Sequence, residues 1–95
     1  MYYLYILECA DATLYTGITT DLERRLHEHN VTLRGAKYTR SRRPVRFVYY
    51  KRFKTRSLAS KVEAKIKILT RVEKLKLIAT TTLKASRVAK MKKNR

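Results

Sequence analysis

The sequence predicts an α+β fold in which a small three-stranded antiparallel sheet is flanked by helices, in the order β-β-α-β-α-α. Two patterns support this order: short runs rich in aromatic and branched residues, typical of strands, and stretches with apolar residues every three or four positions, typical of helices. The 95 residues fit one domain. We expect that domain over residues 1–83 and a basic, disordered tail over 84–95.

The first two elements are predicted to form a hairpin. Residues 2–9 (YYLYILEC) carry bulky apolar side chains at almost every position, which predicts a strand buried on both faces. A short polar break, Ala10–Ala12, separates it from a second strand at Thr13–Ile18. Gly17 inside that strand indicates a bulge or a close approach to the backbone.

The stretch Thr20–His29 predicts a helix that begins with a capping box, because Thr20 is followed by Glu23 three residues later. One face of this helix then carries two leucines for the core and two polar residues along its edge. In chain order these are Leu22, Arg25, Leu26 and His29.

The second half of the chain predicts a basic loop at residues 30–43, then a third strand from Pro44 to Phe53, since proline is allowed at a strand start. Alternation places Val45, Phe47 and Tyr49 on one side of it and Arg46, Val48 and Tyr50 on the other.

Two further helices are predicted after this strand. The first runs over Ser57–Leu69 with Ser57 as its cap. Its apolar stripe is Leu58, Val62, Ile66 and Leu69. A second capping box, Thr70 with Glu73, predicts the last helix over residues 70–78.

The charge is strongly positive and unevenly distributed. The net charge is +17, and residues 34–95 hold twenty-two of the 24 basic side chains with only two acidic ones. Nucleic acid is the expected partner and an anionic membrane surface ranks last, because no basic amphipathic helix with bulky anchors is present. Charge alone also fits loose binding to any polyanion.

Other bulk features concern location and redox state. No apolar stretch of about twenty residues and no signal peptide are visible, so we expect a cytoplasmic protein, with association with the nucleoid as a further option. The single cysteine, Cys9, lies in an apolar run and is expected to be a buried core thiol.

Four polar residues are candidates for chemistry, and each also has a structural interpretation. Tyr15 fits a half-buried strand aromatic, and Arg25 fits either a salt bridge or a phosphate ligand. His29 fits a structural histidine. Glu63 fits an ion pair with Lys67 four residues on, or a single carboxylate for Mg²⁺, which keeps several waters and needs few protein ligands.

Three segments together resemble the GIY-YIG nuclease family. They are YLYIL (Tyr3–Leu7), LYTG (Leu14–Gly17) and TTDLERRLHEHN (Thr19–Asn30). The family signature is two short tyrosine-bearing strands and a helix with an arginine ten residues past the second tyrosine, here Tyr15 and Arg25. The segments at residues 35–45 and 60–69 look like the small stand-alone bacterial branch of this family, and the resemblance covers about residues 2–78.

The resemblance implies roles for five residues. Tyr5 and Tyr15 match the signature tyrosines, one of them acting as general base, and Arg25 matches the arginine that neutralises charge on the phosphoryl oxygens. His29 matches a histidine that orients water or protonates the leaving group, and Glu63 matches the ligand of one Mg²⁺ or Mn²⁺ ion. The first half departs from the family pattern, because YLY replaces its glycine and isoleucine.

The implied activity is hydrolysis of phosphodiester bonds, in DNA more than RNA. Cutting would be non-sequence-specific, since no DNA-reading domain is visible. It would be selective for DNA structure and linked to repair or recombination, with a protein partner supplying specificity. Backbone contacts are expected from a basic cluster in which Tyr38 stacks on an unpaired base or packs within the loop. This cluster is Arg34, Lys37, Tyr38, Arg40, Arg42 and Arg43. The alternative is a nucleic-acid-binding module without turnover, associated with RNA or the ribosome.

Overall fold

The computed structural model describes residues 1–32 and 36–80. Within those ranges it contains three strands and four helices. In chain order they are β1 Tyr2–Glu8, β2 Leu14–Thr19, α1 Leu22–Val31, α2 Lys37–Arg40, β3 Arg46–Phe53, α3 Arg56–Lys67 and α4 Arg71–Ala79. The α+β fold with a three-stranded antiparallel sheet is therefore confirmed. The predicted tail at 84–95 and Arg34 lie outside the described residues.

Strand β1 is the centre of the sheet and pairs antiparallel with β2 on one side and β3 on the other. Its four central residues, Leu4 to Leu7, are at most 1% exposed, which confirms burial on both faces. Tyr5 and Leu7 join the core that contains Leu22 of α1, whereas Leu4 and Ile6 join the core that contains Ile66 of α3. Helices α1 and α3 thus cover opposite faces of one sheet.

Strand β3 contains an irregularity that the alternation pattern missed. Ile6 pairs with Tyr49 and Leu7 pairs with Phe47, so Val48 is an extra residue on β3. Because a bulge inserts one residue, the side chains beyond it change face. Val48 and Tyr49 both pack in the core under α3, and the predicted grouping of Tyr49 with Phe47 is wrong.

The predicted loop at residues 30–43 contains the short helix α2, and side chains fix this segment to the end of α1. Asn30 donates its amide to the Val45 carbonyl and accepts the Val45 N–H, at 3.1 and 2.8 Å. The Arg43 guanidinium donates to the backbone carbonyls of His29, at 2.6 Å, and of Thr32. Since Asn30 holds the Val45 amide, β3 begins at Arg46 rather than at Pro44.

The helix starts differ from the predicted caps in two of three cases. Helix α1 is capped by Asp21, which accepts the Arg24 N–H at 3.1 Å, and not by the Thr20 box. The negative charge of this carboxylate also interacts favourably with the positive end of the helix dipole. Helix α3 is capped by Thr55 rather than by Ser57, whereas the capping box of Thr70 in α4 is confirmed.

The buried stripe of α3 differs from the predicted one only at its first position. Leu58 is 48% exposed, whereas Ala59 is fully buried against the sheet. The stripe is therefore Ala59, Val62, Ile66 and Leu69. A small side chain at the first of these positions lets the helix lie close to the strands. Cys9 is buried as predicted, and burial raises the pKa of its thiol.

Gly17 permits a close contact between the two hairpin strands. It lies opposite Tyr5 in the β1–β2 ladder. A Cβ atom at Gly17 would lie 2.5 Å from the Tyr5 hydroxyl oxygen and 2.7 Å from the ring carbon that carries it. The Tyr5 ring occupies the space of the missing side chain, so a close approach explains this glycine.

Replacement of Gly17 by alanine is expected to destabilise the protein by about 1–3 kcal/mol, because the buried Tyr5 ring cannot move aside without strain. Chemical denaturation measures this cost. In a Tyr5→Phe background the nearest clash is removed, so the same replacement should cost less. An equal cost in both backgrounds would contradict the proposed contact.

Candidate active site

The hydroxyl of Tyr5 lies at the centre of a buried polar cluster. It is 2.9 Å from Nε2 of His29 and accepts a hydrogen bond from Nε of Arg25 at 3.4 Å. Tyr5 is 1% exposed and its ring is surrounded by aromatic neighbours, including Phe47. Helix α1 positions both partners, because Arg25 and His29 are one helical turn apart.

His29 is fully buried, so its predicted place along the edge of the helix face is wrong. Its Nδ1 is 2.8 Å from the hydroxyl oxygen of Thr39 and 3.4 Å from the amide nitrogen of Ala36. Thr39 is also fully buried and donates to the Ala36 carbonyl at 2.9 Å. The histidine thereby connects β1, through Tyr5, with the short helix α2.

The histidine has two tautomers, and each allows a different set of hydrogen bonds in the cluster. With the proton on Nδ1, His29 donates to Thr39, and Nε2 accepts the proton of Tyr5. With the proton on Nε2, His29 donates to Tyr5, and Nδ1 accepts from Ala36. The direction of the Tyr5 hydroxyl proton therefore depends on the tautomer of His29.

Burial dominates the acid–base properties of this pair. It raises the pKa of Tyr5 to about 12, against the lowering effect of the Arg25 hydrogen bond and charge. Burial and the charge of Arg25 lower the pKa of His29 to about 4. Both side chains are therefore neutral at pH 7.

Arg25 is held between Tyr5 and an acidic neighbour. Its Nη1 donates to Oε1 of Glu28 at 3.0 Å, and Glu28 also lies 3.8 Å from Nε of Arg24. The salt bridge considered in the sequence interpretation is thus present. Contacts on two sides orient the guanidinium in the half-buried space beside Tyr5.

Tyr15 lies on the edge strand β2 next to the same cluster. Its ring is 5.3 Å from the His29 ring in an edge contact, and it stacks on Tyr38 at 5.9 Å with an interplanar angle of 25°. The guanidinium carbon of Arg42 is 4.0 Å from the centre of the Tyr38 ring. Tyr38 therefore packs within its segment while remaining 39% exposed.

Glu63 belongs to α3, on the other face of the sheet from α1. Its Oε2 is 3.4 Å from Nζ of Lys67, which is the structural pairing expected at this spacing. The charge of Glu63 nevertheless contributes to the raised pKa of Tyr5, as does Tyr15. These two effects on the pKa of Tyr5 are small beside those of burial and of Arg25. In residues 1–32 and 36–80 no cluster of three metal-ligating side chains forms.

The remaining basic residues of the predicted interface differ in their surroundings. Lys37 and Arg40 are exposed on α2, whereas Arg42 forms an ion pair with Asp11 at 3.1 Å. Arg43 is engaged with carbonyl groups at the end of α1. No helix of the described residues is long and apolar enough to cross a membrane.

Sequence reasoning missed two residues of the cluster, Glu28 and Thr39. Glu28 had a detectable signal, because it lies three and four residues after two arginines on a predicted helix. Thr39 had none, because it lies in a predicted loop and meets His29 only in the folded chain.

The fold agrees with the comparisons with known proteins. Residues 1–76 match the family described as the GIY-YIG catalytic domain, and the chain belongs to this family. A UPF0213 protein of Syntrophus aciditrophicus is 55% identical over 76 residues, which cover 80% of this chain and 87% of that protein.

Two solution NMR structures are also similar to this chain. A protein from E. faecalis has a TM-score of 0.61 and 49% identity, with 86% of each chain covered. A UPF0213 protein from Bacillus halodurans has a TM-score of 0.56 and 43% identity, with 85% of this chain and 86% of that one covered. These relatives place the chain among small stand-alone members of the family.

The buried histidine predicts an acid-sensitive fold. The unfolded chain binds a proton at His29 near pH 6.5, and the folded chain binds it only near pH 4. Neutral, buried His29 therefore contributes stability that is present above pH 6.5 and is lost as the pH falls. The loss between pH 7 and pH 4.5 is about 2 kcal/mol. Denaturation of His29→Gln should lack this part of the pH dependence, whereas the exposed control His27→Gln should retain it. Identical pH profiles for the two variants would contradict the assignment.

Proposed function

We propose that this domain is a Mg²⁺-dependent endonuclease that hydrolyses phosphodiester bonds, in DNA rather than RNA. The single observation that carries the proposal is the cluster at the Tyr5 hydroxyl, to which Arg25 donates at 3.4 Å and beside which the rings of Tyr15 and His29 lie. Membership of the GIY-YIG family supports the same class of reaction. A phenol, a guanidinium and a carboxylate are the groups that such a hydrolysis requires.

Tyr15 is the proposed general base. Tyr5 is buried with a pKa of about 12, so it is poorly suited to take a proton from water near neutral pH. Tyr15 is half-buried on the edge strand, where solvent and substrate have access. Its ring lies 5.3 Å from the His29 ring and beside the Tyr5 ring, so its position adjoins the cluster that Arg25 joins.

Arg25 is proposed to neutralise the charge that develops on the phosphoryl oxygens. The planar fork of a guanidinium suits two of these oxygens, and contacts to Tyr5 and Glu28 fix its orientation before substrate arrives. A donor that needs no reorganisation contributes most to transition-state stabilisation. Tyr5 and His29 act as positioning residues in this scheme, because neither is exposed to a substrate.

Glu63 is the residue that would hold the metal ion. A lone, partly buried carboxylate fits Mg²⁺, which takes one or two carboxylates and completes its shell with water and substrate phosphate. The bound ion supplies Lewis-acid activation and neutralises charge at the leaving oxygen. The Lys67 pair at 3.4 Å is exposed on the lysine side, and such pairs contribute only about 0–1 kcal/mol, so a divalent ion competes with it.

The proposed substrate is a nucleic acid recognised by its backbone. Exposed Lys37 and Arg40, together with Arg42 near Tyr38, provide phosphate contacts without base readout. Selectivity for branched or single-stranded structures, and a role in repair or recombination with a partner that supplies specificity, are parts of this proposal.

A second candidate is a nucleic-acid-binding module that has lost turnover, acting with RNA or the ribosome. The observation that favours it is the Glu63–Lys67 ion pair, which occupies the only proposed metal ligand. Binding of nucleic acid alone does not separate the two candidates, because both require the basic surface.

The metal-ligand assignment predicts a loss of cutting in Glu63→Gln by about 100-fold or more. The assay is Mg²⁺-dependent nicking of plasmid and of labelled branched and single-stranded DNA, with Glu23→Gln, an exposed carboxylate on α1, as the control that retains activity. Equal cutting by wild type and Glu63→Gln would indicate a contaminating nuclease. Failure of wild type to cut any DNA or RNA structure would favour the binding module.

The base assignment predicts unequal effects of two tyrosine replacements. Tyr15→Phe should lower kcat by about 10²–10⁴-fold, as expected for loss of a general base, with unfolding stability little changed. Tyr5→Phe should lower kcat less but lose about 1–3 kcal/mol of stability, because His29 and Arg25 lose a buried partner. Single-turnover kinetics and denaturation measure the two effects, and the opposite order in kcat would assign the base to Tyr5.

A further inference from the structure

A second basic pocket lies next to the candidate active site. Its volume is about 270 Å³, and it lies where the ends of β1 and β2 meet α1 and the start of α3. We call it the arginine pocket. Its polar lining is formed by Tyr2, Thr19, Thr20, Arg24, Arg25, Glu28 and Arg56.

The charges around the arginine pocket are not balanced. Three guanidinium groups face one carboxylate, and Glu28 is already shared between Arg24 and Arg25. Arg56 is exposed, and in the described part of the chain the structure records no ion pair for it. Since clustered positive charges repel one another, an anion between them relieves the repulsion, and guanidinium groups bind phosphate oxygens in pairs.

Arg25 connects this pocket with the candidate active site. It donates through Nε to the Tyr5 hydroxyl and also lines the pocket. Two adjacent anionic groups can therefore lie on either side of one guanidinium. The pocket is smaller than most nucleotide sites, and its volume suits a phosphate with part of its sugar rather than a whole base.

The register of the hairpin gives the pocket a position along the edge of the sheet. Thr19 pairs with Tyr3 at one end of β2, whereas Tyr15 pairs with Leu7 near the other end. Strand β2 is an edge strand of six residues, which span about 20 Å. The arginine pocket thus marks one end of this edge, and Tyr15 with its stacking neighbour Tyr38 marks the other.

We propose that the arginine pocket binds a backbone phosphate of a nucleic-acid strand that lies along β2, on the far side of Arg25 from Tyr15. The identity of the ligand rests on the proposed function, whereas the pocket itself does not depend on catalysis. Arg56 is the residue specific to this site, because it belongs to α3 and takes no part in the Tyr5 cluster. Its contact fixes the position of the strand without reading sequence.

The test is binding of a fluorescent single-stranded oligonucleotide, measured by anisotropy in EDTA at several salt concentrations. Arg56→Gln should weaken binding by about 5–10-fold and reduce the slope of log K against log salt by about 0.7, as expected for one lost phosphate contact. Arg52→Gln removes the same charge from exposed β3, at the opposite edge of the sheet, and should change binding by less than about two-fold. Arg56→Lys keeps the charge but loses the planar fork, so it should weaken binding less than Arg56→Gln does.

Several outcomes would overturn the pocket. Equal weakening of binding by Arg56→Gln and Arg52→Gln would mean that only the overall charge matters. Absence of oligonucleotide binding by wild type would reject nucleic acid as the ligand of the pocket. Displacement of the oligonucleotide by inorganic phosphate, stronger than by chloride at equal ionic strength and dependent on Arg56, would assign the pocket to free phosphate. Cleavage with Mg²⁺ is assayed separately. A specific binding defect in Arg56→Gln, with a wild type that cuts nothing, would support the pocket and reject the nuclease.

Discussion

The buried hydroxyl of Tyr5 is the group on which the arrangement of the domain depends. Burial of a polar atom without a partner is costly, so Tyr5 requires His29, and His29 in turn requires Thr39. These contacts fix α1 and α2 relative to β1. The ring also requires Gly17 in β2, because any side chain there would overlap it. One phenol thus determines a glycine, a histidine and a threonine in three different elements.

This constraint also distinguishes the fully buried candidate residues from the partly buried ones. The groups that are fully buried, Tyr5 and His29, are neutral at pH 7 and bonded to each other. The groups that are only partly buried, Tyr15, Arg25 and Glu63, keep access to solvent. A neutral, hydrogen-bonded interior therefore underlies an outer layer that contains a phenol, a guanidinium and a carboxylate. Such support is what a prepared site needs, since its side chains must keep their orientation before substrate binds.

Local patterns predicted much of the fold, and their failures have definite physical causes. The hairpin, the central strand and the capping box at Thr70 follow from residues that are close in sequence. The extra residue Val48 does not, because alternation carries no information about the register with a partner strand. Similarly, Thr20 and Asp21 are both good helix caps, and the folded chain uses Asp21. Leu58 and Ala59 are both apolar, and the folded chain buries Ala59. In both cases packing, and not the local pattern, decided between the two residues.

The candidate site was predictable only where spacing along the chain carries information. The resemblance to a known signature pointed to Tyr15 and Arg25, ten residues apart. The burial of His29 depends on Thr39 and on the way α2 folds over the end of α1. A helix of four residues is too short to show the apolar periodicity from which helices are predicted. Its position depends on Arg43, whose guanidinium caps carbonyl groups of α1 although the sequence suggested a phosphate contact.

The uneven charge of the chain has a structural use that limits where nucleic acid can bind. Acidic residues of the first third hold arginines from later elements, as in Asp11 with Arg42 and Glu8 with Arg46. Exposed pairs of this kind contribute little to stability, so a phosphate can replace Asp11 at Arg42. The pair of Glu28 with Arg25 is less exposed and bonded on both sides, so this arginine keeps its place. Under the proposed function, a strand that binds the domain would draw the outer arginines toward its phosphates, whereas Arg25 would fix the position of the phosphate beside Tyr15.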